Sequence, residues 1–495
     1  MNLKPSITRA LIFVIFLGLT AEIHCQTAFP RLEPDSKALD YYRLGQRSGY
    51  SWTELAEISL WASGNSAPSN IERIRAAVTA INNSANFPSG GRDRAEFILT
   101  YMHNNILRSY SLYQTKVDVL FTNGNYNCVS SAVLYMILCE ALGVNTSGVI
   151  TREHVFVMVH IDGQNIDVET TNRFGFDPGN KREFHDQFTG VTGFTYVPAQ
   201  NYRDRQVITK IEVISLILNN RVADFERAGN YRDAVPLAVD RAALLFGPSL
   251  AVTSGVVSSG SLFADSRADL LDRLINYGAV FLRSNREDDS LRWAVLASSI
   301  YPANNRWQEL IMAAVNNRTA RLLRENKLQD ARGFLDSNRT LLTDADYLQL
   351  DAVLIDTELL QRANRISSAE EGDAVILSIE QTRAAGRLSE RRAGELQTYA
   401  IQKTAAALCT TTPRNWRDAI HYLETSISRF GGNVELEQAL RTYRNNLATD
   451  YHNRFAAEWN RGNNAEAARI LNEGLTEFPN DRQLLADRRI VDRQR

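Results

Sequence analysis

The sequence contains few cysteines, four in 495 residues. A chain of this length with so few cysteines does not have the disulfide framework that holds small secreted domains together. Cys25 lies in the N-terminal segment, so Cys128, Cys139 and Cys409 remain in the rest of the chain. This sparse, odd-numbered set favours a free reactive thiol at Cys128 and leaves a Cys139–Cys409 pair open.

The sequence also lacks a strong excess of either charge. Its formal net charge is −2 at pH 7, which does not indicate nucleic-acid binding. Acidic and cysteine side chains at ligand spacing are missing around His160 and His185, so we predict no metal site. We predict no other cofactor.

Long apolar runs are missing after the N-terminus, so we predict no transmembrane span in the mature chain. At the N-terminus, the basic residues Lys4 and Arg9 precede the short apolar run Ala10–Ala21, which is the pattern of a secretory signal peptide over residues 1–25. We therefore expect an exported protein of the periplasm or cell envelope. The signal peptide could be cleaved after Ala21 or after Cys25. As a further alternative, acylation of Cys25 would anchor the protein to lipid.

The most informative stretch runs from Gly124 to Thr171. Turn and cap residues before Cys128 predict a helix that begins near this cysteine and ends at Gly143. The helix is apolar on nearly every side, which predicts a buried, central helix with Cys139 in its core. Cys128 would lie at the positive end of the helix dipole, where thiolate is favoured over thiol.

A β-hairpin is predicted directly after this helix. Apolar and polar residues alternate from residue 153 to 161, and Asp162-Gly163 is a strong two-residue hairpin turn. The resulting register places Glu169 diagonally beside His154 on the same face of the hairpin. Glu169 is therefore predicted to orient the imidazole of His154, and Asp167 is the second choice.

These residue types suit acyl transfer. A cysteine attacks a carbonyl carbon, a histidine activates the thiol and protonates the leaving group, and a carboxylate fixes the imidazole tautomer. The backbone N–H of Cys128, helped by Asn127, Asn125 or Tyr126, is predicted to stabilise the oxyanion. A single cysteine or histidine is usually structural, so the hypothesis rests on their combination and order.

The order of these motifs resembles the core of the transglutaminase-like superfamily of cysteine-dependent enzymes. The motifs are Asn-Cys, an apolar helix ending in Leu-Gly, His-Val-Phe-Val and Val-Glu-Thr-Thr, within residues 94–178. The resemblance implies a papain-like catalytic triad of Cys128, His154 and Glu169. Many members have Asp in place of Glu169 and a Trp before the acid, which this sequence lacks.

From about Gln206 the sequence becomes a series of helical segments. Residues 462–467, followed by Gly474 and Pro479, are spaced like the second helix of a tetratricopeptide repeat. Ser290, Ala297 and Pro302 fall in the same register, a copy from Gly229 has a shifted end, and weaker copies begin near Asn326 and Trp416. Such repeats predict an all-α solenoid whose concave face binds a protein or peptide. A non-repetitive helical domain is the alternative.

The sequence as a whole predicts an α+β fold, in which a transglutaminase-like domain over residues 26–205 precedes a tetratricopeptide-like solenoid over 206–495. The predicted function is that of an exported cysteine protease, amidase or transamidase acting on a protein or peptide of the cell envelope. Hydrolysis and transamidation share one thioester intermediate, so the sequence does not separate them. The alternative is a catalytically inactive scaffold that acts as a protein-binding or assembly factor.

Overall fold

A computed structural model describes residues 28–152, 154–179, 181–192, 205–250, 266–302, 305–410 and 415–493. The predicted signal peptide, with its two cleavage positions and Cys25, lies outside these residues. Within the described ranges, none of the helices combines the length and the apolar character that crossing a membrane requires.

Helices dominate the described chain, with 71% of the residues in helices and about 6% in strands. The predicted fold class, an α+β transglutaminase-like domain followed by a solenoid, is therefore wrong, because the fold is mainly all-helical. The strands are only two to seven residues long. Seven of the described helices precede residue 206, so the region that was expected to mix helix and sheet is itself largely helical.

The helices of the described residues are α1 Ser36–Ser48, α2 Trp52–Ser63, α3 Pro68–Asn82, α4 Gly91–Asn105, α5 Val117–Leu120, α6 Cys128–Ala141, α7 Arg182–Thr192, α8 Lys210–Arg227, α9 Tyr231–Phe246, α10 Ser266–Arg283, α11 Glu287–Ile300, α12 Asn305–Arg324, α13 Leu328–Ser337, α14 Asp344–Asn364, α15 Ala369–Ala384, α16 Glu390–Leu408, α17 Trp416–Phe430, α18 Val434–Asn460, α19 Asn464–Glu477 and α20 Arg482–Arg493. The strands are β1 Ser109–Tyr110, β2 Asn125–Tyr126, β3 Asn145–Ile150, β4 Val155–Ile161, β5 Gln164–Val168 and β6 Gln206–Ile208.

The larger sheet is antiparallel and has the strand order β5-β4-β3-β6. The β4–β5 hairpin turns at Asp162 and Gly163, whose φ angles are 48° and 77°, as a two-residue primed turn requires. Met158 pairs with Asp167, which confirms the predicted register. The short strands β1 and β2 form a separate parallel pair.

Helix α6 is the centre of the first part of the chain. Every residue from Val129 to Cys139 is buried, because the helix packs against β3 and β4 on one side and against α2, α4 and α8 on others. This confirms the prediction of a central helix with Cys139 in the core. Since α8 belongs to the same apolar core as α6, the packing continues past residue 205.

The chain divides into two compact units at Leu310 and Ile311. In the second unit, consecutive helices from α15 to α19 pack against one another. A Cβ atom on Gly474 of α19 would lie 3.0 Å from the Tyr451 side chain on α18, so the small residue permits the close approach of these helices. The identification of tetratricopeptide repeats and of a protein partner bound to them stays a prediction.

Gly148 of β3 tests how closely α8 packs on the sheet. A Cβ atom there would lie 2.2 Å from Val213 and 2.9 Å from Ile208, so Gly148→Ala must move one of them. We expect a loss of about 1–3 kcal/mol through overpacking, measured as faster hydrogen exchange in peptides from β3 and α8. The control is Gly190→Ala in α7, where an added Cβ has open space. Unchanged exchange in Gly148→Ala would contradict the close packing.

Candidate active site

Cys128 is the first residue of α6, where the helix is closed by a reciprocal cap. The Asn127 side chain accepts a hydrogen bond from the Ser130 N–H, and the Ser130 hydroxyl accepts one from the Asn127 N–H, each at 3.0 Å. Cys128 is partly exposed and is a free thiol. Its backbone N–H has no partner among the described residues, as is usual for the first residue of a helix.

His154 lies immediately before β4, and its side chain is 15% exposed. Its Nε2 is 2.6 Å from Oε2 of Glu169, and His154 and Cys128 line the same cleft, near enough for the cysteine to affect the imidazole pKa. Because Nε2 is engaged by the carboxylate, Nδ1 is the ring nitrogen left to interact with the thiol. The rings of Phe156 and Phe188 pack against the imidazole. The structure thus brings the three predicted residues together.

Glu169 follows β5 and is buried. Its Oε1 accepts hydrogen bonds from the backbone N–H of Thr171 at 3.2 Å and from the Thr171 hydroxyl at 2.7 Å. The main chain is held as well, because the Glu169 N–H donates to the carbonyl of Gly175 at 2.8 Å. One carboxylate oxygen is therefore fixed by Thr171, which aims the other at His154.

Asp167, the second choice for the acid, has a different partner. Its two carboxylate oxygens accept hydrogen bonds from the Arg205 guanidinium, each at 2.6 Å. The guanidinium lies over the ring of Phe156, 5.3 Å from its centre. Asp167 is thus held in a bidentate pair on the sheet, and Glu169 is the carboxylate beside the imidazole.

Two of the predicted oxyanion side chains, Asn127 and Tyr126, hydrogen-bond to neighbouring backbone groups. The Asn127 amide donates to the carbonyl of Leu112 at 3.1 Å, while its oxygen caps α6. The hydroxyl of Tyr126 donates to the carbonyl of Thr171 at 3.1 Å, and Asn125 lies on β2. Beside the thiol, the Cys128 N–H is a donor without a partner in the described residues.

The ion pair sets the charge state of His154. Burial lowers the pKa of the imidazole, but the Glu169 charge, the hydrogen bond that the ring donates to Glu169 and the neighbouring Cys128 all raise it. The net effect raises the pKa of His154 well above its ordinary value of 6.5. The ring is therefore protonated near neutral pH, ready to neutralise a thiolate on Cys128.

An open cleft of about 460 Å³ lies beside Cys128 and His154. One face of α8 forms a wall of this cleft, with Leu216, Asn219, Asn220, Ala223, Asp224 and Arg227. The exposed side chains of Leu112 and Tyr113 lie at its edge. Sequence reasoning missed α8, whose lining residues follow ordinary helical spacing and have no catalytic motif.

No protein-family model matches the chain, and no curated protein matches it. No group of three or more His, Cys, Asp and Glu side chains suited to a metal ion occurs in the described part of the chain. The geometry of the three side chains and the cleft is therefore the basis for a functional proposal.

The Glu169 charge is expected to control the protonation of His154. In Glu169→Gln the raising effect of the carboxylate is lost while burial, which lowers the pKa, remains. We therefore expect the His154 pKa to fall, measured by NMR of labelled histidine. The control Asp167→Asn removes a carboxylate that pairs with Arg205, and it should change the His154 pKa far less. A larger effect of Asp167→Asn would contradict the assignment of Glu169.

Proposed function

We propose that the protein is a cysteine-dependent acyl-transfer enzyme that acts on an amide bond. The observation that carries this proposal is the hydrogen-bonded pair of His154 and Glu169 beside Cys128, with the cysteine and the histidine both on the wall of an open cleft. The order of these residues also supports kinship with the transglutaminase-like superfamily, in which cysteine, histidine and acid work in this way.

In the first step, the Cys128 sulfur attacks the carbonyl carbon of the amide. The C–S bond forms, and the carbonyl oxygen becomes an oxyanion that the Cys128 N–H can stabilise. His154 then gives a proton to the amide nitrogen, the C–N bond breaks and the amine leaves. Glu169 stays ionised and balances the charge of the imidazolium.

In the second step, the acyl group leaves the sulfur. A water molecule or an amine gives a proton to His154 and attacks the thioester carbon, which releases a carboxylic acid or a new amide together with the thiol. The cleft admits an acceptor from the side of α8, because Cys128 and His154 both lie on its wall. The geometry is compatible with hydrolysis and with transamidation.

A peptide or protein is the substrate class that we propose. The cleft is long enough to be lined by residues from three turns of α8, so it can contact a chain on both sides of a reacting amide. The predicted signal peptide places such a substrate in the periplasm or the cell envelope.

The reactivity of Cys128 provides a direct test. With iodoacetamide near neutral pH, Cys128 should be alkylated before Cys139 and Cys409, which are buried. His154→Ala should slow the reaction of Cys128 by at least about tenfold, because it removes the imidazolium whose positive charge favours the reactive thiolate. Peptide mass spectrometry measures the rate at each cysteine.

His160→Ala is the matched control. This histidine lies on β4 but hydrogen-bonds to Ser147 and Asn165, so its removal should leave the reaction of Cys128 unchanged. If Cys128 reacts no faster than a free model thiol, and His154→Ala has no effect, the three residues do not form a catalytic unit. The predicted alternative, an inactive scaffold, would then be favoured.

A further inference from the structure

The two ends of the proposed catalytic unit are far apart in the sequence and must be held together. Cys128 heads α6, whereas Glu169 lies at the start of the turn formed by residues 169–172. The separation between the sulfur and the imidazole therefore depends on how this turn is fixed to α6. The inference below rests on the proposed function.

A pair of buried hydroxyl groups joins these two segments. The Ser131 hydroxyl, one turn along α6 from Cys128, is 2.8 Å from the hydroxyl of Thr170, and both residues are 0% exposed. The Ser131 hydroxyl is also 2.8 Å from the carbonyl of Asn127. A hydroxyl has one proton to donate. When Ser131 donates to this carbonyl, Thr170 is therefore the donor to Ser131.

A hydrogen-bonded chain thus runs from the residue after Glu169 to the residue before Cys128. Thr170 donates to Ser131, and Ser131 donates to the carbonyl of Asn127, the cap of α6. Neither hydroxyl can exchange its partner for water, because both side chains are fully buried. Breaking the contact would leave an unsatisfied buried group, which disfavours any slippage between the two segments.

The carbonyl side of the same turn is held by His103 from α4. Nε2 of His103 is 3.1 Å from the Thr170 carbonyl, and the ring packs edge-on against Tyr126. Burial lowers the pKa of His103 to about 4, although the bond to Thr170 opposes this. The neutral ring donates its proton from Nε2 and adds no positive charge that would compete with His154 for Glu169.

We infer that Ser131 and Thr170 are positioning residues, and that the hydrogen bond between their hydroxyls sets the separation of the Cys128 sulfur from the His154 imidazole. They do not contact the substrate. They act through α6 and through the turn that carries Glu169, so their loss misplaces one end of the catalytic unit relative to the other.

The test compares Thr170→Val and Ser131→Ala with the unaltered protein. Valine keeps the shape of threonine and removes the hydroxyl. Each change should slow alkylation of Cys128 about tenfold, since small misplacements of reacting groups cost up to ~10² in rate. Each should also lower the His154 pKa, because the ring loses part of its contact with Glu169 and Cys128. NMR of labelled histidine measures this second effect.

Coupling and rescue separate positioning from a loss of packing. The double variant should be no slower than Ser131→Ala, because Ser131→Ala already removes the bond to Thr170. Thr170→Ser keeps the hydroxyl and should restore the rate and the His154 pKa. The matched control is Thr146→Val, since the Thr146 hydroxyl is buried without a hydrogen-bond partner among the described residues. This variant should alkylate at the normal rate.

The outcomes distinguish the two proposals. If Thr170→Val and Ser131→Ala react normally while His154→Ala is slow, the inference about positioning is overturned and the proposed function stands. If the unaltered Cys128 is no more reactive than a free thiol, the proposed function fails and the positioning role falls with it. Slow reaction that Thr170→Ser does not restore would point to packing alone and also overturn the inference.

Discussion

The structure of the site depends on one buried ion pair. Glu169 is almost fully buried, and an isolated carboxylate in that position would be strongly disfavoured. Thr171 satisfies one of its oxygens, and the His154 imidazole satisfies the other at 2.6 Å. The buried carboxylate thus favours a protonated imidazole, and the proton that this imidazole holds after the thiol has lost it is the one that the leaving amine receives.

The surroundings of this pair explain why the cysteine lies where it does. Helix α6 is buried along its whole apolar length, so only its first turn reaches the cleft. Cys128 occupies that turn, and its backbone N–H has no hydrogen-bond acceptor in the described chain. A nucleophile placed further along α6 would resemble Cys139, whose burial raises the pKa of the thiol well above its ordinary value.

The local features of the site were predictable because they follow short-range rules. The cap at Asn127 and the turn at Asp162-Gly163 specify the start of α6 and the hairpin register. This register by itself favours Glu169 over Asp167 as the partner of His154. The predicted fold class is wrong, because the alternating residues form only a few short strands among the helices that make up most of the fold.

Contacts between distant segments could not be read from the sequence. The Arg205 side chain that engages Asp167 and the α8 face that lines the cleft come from segments without a catalytic motif. The Ser131–Thr170 bond is of the same kind, since two common hydroxyl residues have no pattern that pairs them. An ion pair defines which groups react, but it tolerates a wide range of relative orientations. A short hydrogen bond between two buried hydroxyl groups tolerates a smaller range, so it fixes the distance between two segments more closely.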